Sequence, residues 1–101
     1  MIEKIKVKIK EGQYRLSKHA LKRCDEREIL EKDVIKIILE GKVVESYPED
    51  KPYPSFLILG YINEKPLYVL CAINELAHII TVHWLDPEKW LDPITRREKK
   101  I

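Results

Sequence analysis

His19, Arg23 and Arg27 recur at i, i+4 and i+8 within the stretch RLSKHALKRCDER, residues 15–27. On a helix these positions form one stripe. Ser17 is a good N-cap, which places His19 in the first helical turn, where the dipole disfavours imidazolium. A neutral ring there could act as a general base or hold a phosphate oxygen's proton. Ala20, Leu21 and Cys24 mark the buried side of the wheel, and Lys18, Lys22 and Asp25 point to solvent. The stripe then runs along the edge of the apolar face, where the helix meets its neighbour and a cleft wall forms. The competing reading is structural: Arg23 and Arg27 pair with Glu26, Glu28 or Glu31, and His19 caps a neighbouring carbonyl.

Other residues able to do chemistry are scattered. The loop around Tyr47, Asp50, Lys51, Tyr53 and Ser55 brings hydroxyls and charges together beside three prolines that restrict motion. It reads either as a ligand-contacting loop on a rigid scaffold or as a shaped turn whose tyrosines pack on the sheet. His78 and His83, five apart on one regular strand, face opposite sides of a sheet and cannot share an ion without a bulge. With three histidines and two cysteines lacking ligand spacing, neither a metal nor another cofactor is expected. Cys24 and Cys71 read as small buried hydrophobes, and Trp84 and Trp90 as packing residues. Arg96, Arg97, Lys99 and Lys100 form a basic tail, solvated by default and secondarily able to hold phosphate.

The elements that position these groups follow from periodicity. Residues 2–12 alternate like a strand at Ile5, Val7 and Ile9, yet place Ile2, Ile5 and Ile9 at helical spacing; with Gly12 as a stop we read a helix. A second helix runs from Ser17 to about Arg27, with Leu16 and Leu21 in the positions of a hydrophobic staple. A third spans Glu31 to Glu40, its acids Glu31 and Asp33 in the first turn and Gly41 at its end. After Gly41 the period changes. VVESYP, SFLILGYI, PLYVLCAI and AHIITVHWL read as four strands, the last three joined by Asn63-Glu64-Lys65 and Asn74-Glu75 as an antiparallel meander. Helices first and strands afterwards predict an α+β domain, with N-terminal helices on one face of a four-stranded antiparallel sheet. We place the domain at residues 1–91 and the basic tail at 92–101.

The 101 residues allow one modest core. A net charge of +2 means that any nucleic-acid contact must come from local clustering. Abundant Lys, Glu and Ile with only 3 Gly are compatible with a thermophilic source. The absence of a long apolar run predicts a cytoplasmic protein without a membrane partner.

Four runs in order, LSKHALKRCDEREI, DVIKIILEG, YPEDKPYPSFLILG and IITVHWLDPEKW, resemble the bacterial and archaeal family called domain of unknown function 4258. The family's Ser-x-His-Ala-x-x-Arg falls on Ser17, His19, Ala20 and Arg23, and its Glu-Arg-Gly-Ile on Glu26, Arg27, Glu28 and Ile29. Glu28 stands where the family has glycine, so a left-handed turn after the helix would carry about 1 kcal/mol of strain. The family more often has tyrosine at the position of His83.

The family's layout is similar to the RelE-type toxin fold. That similarity implies metal-independent RNA cleavage, with His19 as base or acid and Arg23 and Arg27 on the scissile phosphate. It leaves Tyr47, Tyr53 or His83 as the second proton-transfer group or a base-stacking surface, and Lys51, Tyr53, Ser55, Arg96 and Arg97 as nucleic-acid contacts. It also implies a small antitoxin-like protein partner. The alternatives are a non-catalytic module that binds nucleic acid or protein, and a domain that forms a homodimer through its sheet.

Overall fold

The computed structural model describes residues 2–86. The first helix, α1 (Ile2–Lys10), buries Ile5 and Ile9, while Val7 is 52% exposed. A strand would have buried Val7 beside both isoleucines, so the helical spacing wins. Gly12 at φ 74° closes α1, with Gly12 N donating to Ile9 O and Gln13 N to Lys8 O, the bond pair of a Schellman cap.

Next comes an element that the sequence reading lacked, the short strand β1 (Tyr14–Leu16). It is followed by α2 (Lys18–Glu26), α3 (Glu31–Glu40), β2 (Lys42–Tyr47), β3 (Ser55–Ile62), β4 (Lys65–Ile73) and β5 (Ala77–Trp84). The strand order is β1-β5-β4-β3-β2. The expected four-stranded antiparallel sheet is therefore corrected to a five-stranded mixed one, because β1 runs parallel to β5 in the register Tyr14↔Ala77 to Leu16↔Ile79. Three residues are too few to display a period of two, and β1 exists only because a distant strand offers it a ladder.

All three helices bury their apolar stripes on one sheet face. Ile5 from α1, Ala20 from α2 and Val34 and Ile38 from α3 join Leu67, Val69, Cys71 and Val82 in one core. Closeness has its own requirements: a Cβ on Gly60 would lie 2.5 Å from Ile37 Cγ1, so glycine lets α3 rest on β3. The opposite face carries a smaller cluster of Leu57, Leu59 and Tyr68.

The turn between β3 and β4 is tighter than expected. Ile62 pairs with Lys65, which leaves Asn63 and Glu64, both at positive φ, as a two-residue hairpin turn. Leu21 also departs from the wheel: it is 53% exposed on the flank away from the stripe, whereas Leu16 packs on the core.

Candidate functional site

The position of α2 is set by Ser17. Its Oγ accepts from Ala20 N at 3.0 Å and donates to Ile80 O at 2.6 Å, and its backbone N donates to Ile79 O at 2.9 Å. One residue thus ends β1, starts α2 and ties both to β5. Ile80 is the residue that needs this. The β4–β5 register shifts between Leu70 and Cys71, which face Thr81 and Ile79 respectively, so Ile80 is the extra residue of a bulge. Ser17 takes up the carbonyl that the bulge removes from the ladder.

The bulge also overturns the expected faces of β5. Ala72 pairs with His78, Leu70 with Thr81 and Tyr68 with His83, and alternate residues of regular β4 share a face. His78 and His83 therefore lie on the same side of the sheet, the one that carries Tyr68 and the smaller cluster. They serve different neighbours: His78 stacks with Tyr53 at 5.7 Å between ring centroids, and His83 stacks with Tyr68 at 5.3 Å. Among the described residues no group of three or more His, Cys, Asp or Glu could hold a metal ion.

Beyond Leu16, β1 stops and α2 takes its place beside β5. There His19, Arg23 and Arg27 face Thr81, His83, Trp84, Leu85 and Asp86 across a cleft of about 570 Å³. Within it Arg23 Nε donates to His19 Nε2 at 3.4 Å. A guanidinium can only donate, so this imidazole nitrogen is acting as an acceptor. His83 Nδ1 lies 3.4 Å from Trp84 O, a contact that suits the Nδ1–H tautomer because a carbonyl only accepts. His19 is exposed, and Arg23 and Arg27 are half-buried. Asp86 is the acidic residue among those that line this cleft.

The remaining candidates from the sequence gather elsewhere. Tyr47, the last residue of β2, pairs with Ser55 of β3; β2 is the sheet edge opposite to β1, and the Tyr47 hydroxyl donates to Glu45 Oε1. Ser55 is fully buried and donates to Asp50 Oδ2 at 2.5 Å, which ties the loop to the start of β3. Lys51 is exposed. Arg96, Arg97 and the boundary at residues 91–92 lie outside the described residues.

Cys24, buried between the stripe and the core, has its thiol pushed up by burial and, secondarily, by the charge of Glu31. Neighbouring arginines do not make it a thiolate.

The residues that the sequence reading missed are Thr81 and Asp86, and for Trp84 it supplied only a packing role. No local signal marked them, since their meeting with α2 depends on where β1 ends and where β5 bulges.

The stripe, the bulged strand and the Ser17 cap all lie within residues 16–84, which match the family model described as Domain of unknown function (DUF4258). The chain belongs to this family. No curated protein and no solved structure matches it. The DUF4258 region opens at the end of β1 and closes at Trp84, so it holds every residue of the cleft except Leu85 and Asp86. Within it, the left-handed turn left open by Glu28 does form: Glu28 sits at φ 55°, with its N donating to Asp25 O and Ile29 N to Cys24 O. Among the described residues no helix is long and apolar enough to cross a membrane.

Proposed function

We propose that the cleft between α2 and β5 is a metal-independent ribonuclease site of the RelE-like toxin type. One observation carries the reading: two imidazoles, His19 and His83, and two guanidiniums, Arg23 and Arg27, line one cleft. In this scheme one imidazole takes the proton of a ribose 2′-hydroxyl. The O2′–P bond forms, the P–O5′ bond breaks, and the other imidazole returns a proton to O5′. Arg23 and Arg27 neutralise the phosphorane oxygens, and no metal or redox partner is needed. The products carry 2′,3′-cyclic phosphate and 5′-hydroxyl ends. Of the three groups considered for the second proton transfer, His83 is favoured over Tyr47 and Tyr53 because it shares the cleft. A small antitoxin-like protein is the partner that this reading implies.

A second reading has its own support. The Arg23 to His19 bond occupies the nitrogen that a base would use, which suits a module that binds RNA without cutting it. Cleavage requires Arg23 to leave His19 for the phosphate.

The deciding experiment incubates purified protein, freed of any partner, with end-labelled RNA in the presence of a chelator. Cyclic-phosphate products that vanish in His19→Ala and Arg23→Ala support the ribonuclease. Tight binding without products supports the module. No cleavage, together with growth inhibition unchanged by both substitutions, overturns the toxin reading.

A further inference from the structure

The α2–β5 cleft does not stop at Arg27. A second cleft, of about 430 Å³, is lined by Arg27, Lys65, Pro66, Trp84 and Leu85, and it shares Arg27, Trp84 and Leu85 with the first. We propose that this second cleft is a further nucleotide-binding position, with Trp84 stacking an unpaired base and Lys65 holding the adjacent phosphate, so that the site takes single-stranded rather than duplex RNA. The proposal rests on the RNA-directed reading above and names the form of RNA that the cleft receives.

The fold brings these groups together through the sheet. Leu67 pairs with Trp84, and Leu85 N donates to Pro66 O at 3.3 Å, which holds the start of β4 against the end of β5. Trp84 is half-buried and packs against the core, which restrains its side chain before a ligand arrives. Lys65 is exposed and lines this cleft together with Arg27 and Trp84, so two cations and an indole border one space. Among the described residues no acidic side chain lines this second cleft, whereas Asp86 lines the first. Cations beside an aromatic ring in one cleft match the repeating phosphate and base of a single strand. In a duplex both faces of every internal base are already stacked, so the indole would have no partner along its length.

The test uses the intact chain. Its two tryptophans are reduced to one by Trp90→Phe, and Trp84 fluorescence is followed while a cleavage-resistant 2′-O-methyl RNA single strand is added. Quenching is expected. Lys65→Ala should weaken binding and lower the slope of log affinity against log salt by about 0.7, the loss of one phosphate contact. Trp84→Leu should weaken binding about tenfold or more. Because Trp84 also supports the core, Lys65→Ala keeps the test independent of folding. A blunt duplex of the same sequence should bind more weakly and leave the fluorescence unchanged. Single-strand binding without quenching, unaltered in Lys65→Ala, overturns the second position and leaves the first cleft standing. Duplex binding as tight as single-strand binding overturns the choice of substrate. No binding of either form to the unsubstituted chain overturns this proposal and the RNA reading together.

Discussion

Arg23 Nε donates to His19 Nε2 across one turn of α2, at 3.4 Å. The pair is at once the strongest candidate for chemistry and a lock on it, because the bond engages the lone pair that a general base needs. The ribonuclease and binding readings differ in whether substrate breaks this bond.

If it does, His19→Ala and His83→Ala should each lower RNA cleavage by about 10²-fold or more, the usual contribution of an acid–base group. Arg23→Lys should lower cleavage as well, since a lysine cannot reproduce the planar fork. His19 is exposed, so His19→Ala should change stability by no more than about 0.5 kcal/mol. Cleavage rates measured beside chemical unfolding separate the two effects, and activity retained in His19→Ala would rule out its role as base or acid.

Ser17 should act through position rather than chemistry. Ser17→Ala removes both the cap bond to Ala20 and the bond to Ile80 O, at a cost of about 1–2 kcal/mol. With the bulge carbonyl unpaired, α2 keeps only the Ser17 N to Ile79 O bond as its hydrogen-bonded tie from Ser17 to β5, and affinity for RNA should fall although no ligand contact has been removed. Ser17→Thr, which keeps the hydroxyl, should restore much of both. Failure of Thr to restore either property would count against the role given to this bond.

Glu28 holds a left-handed conformation at φ 55° in a position suited to glycine. An L-residue there costs roughly 1–2 kcal/mol, and glycine returns about 0.4–1 kcal/mol of that through a more mobile unfolded chain. Glu28→Gly should therefore stabilise the protein by about 0.5–1 kcal/mol. A higher urea midpoint at unchanged m is the expected signature; an unaltered or lower midpoint would show that the turn is not strained.

Cys71 makes stability fall in alkali. Complete burial pushes its thiol well above the ordinary value of 9.0, so the folded chain keeps a proton that the unfolded chain releases. The stabilisation is fully present below pH about 9 and is lost as pH rises towards the folded value, at about 1.4 kcal/mol per pH unit for one group. Cys24, raised by burial and by Glu31, acts in the same direction. Urea unfolding at pH 7 and pH 10 should show the drop, and Cys71→Ala should reduce its slope while lowering stability at pH 7 through the cavity it leaves. An equal slope in Cys71→Ala would locate the effect elsewhere.

Much of this could be read along the chain because its causes are local. The Ser17 cap, the apolar face and first-turn acids of α3, and the stop at Gly41 depend on residues within a turn or two, and α3 begins at Glu31 and ends at Glu40 as expected. The period of two in β3, β4 and β5 reports a face, which any buried sheet imposes. The stripe of His19, Arg23 and Arg27 needed only the helical period. Tertiary structure decided the rest. β1 has no period of its own and forms on the ladder of β5. The bulge at Ile80 answers to the mismatch between β4 and β5, and it carries His83 onto the same face as His78. The meeting of His83 and Trp84 with the stripe requires β1 to end where α2 begins, a contact between segments far apart in sequence that no local pattern encodes.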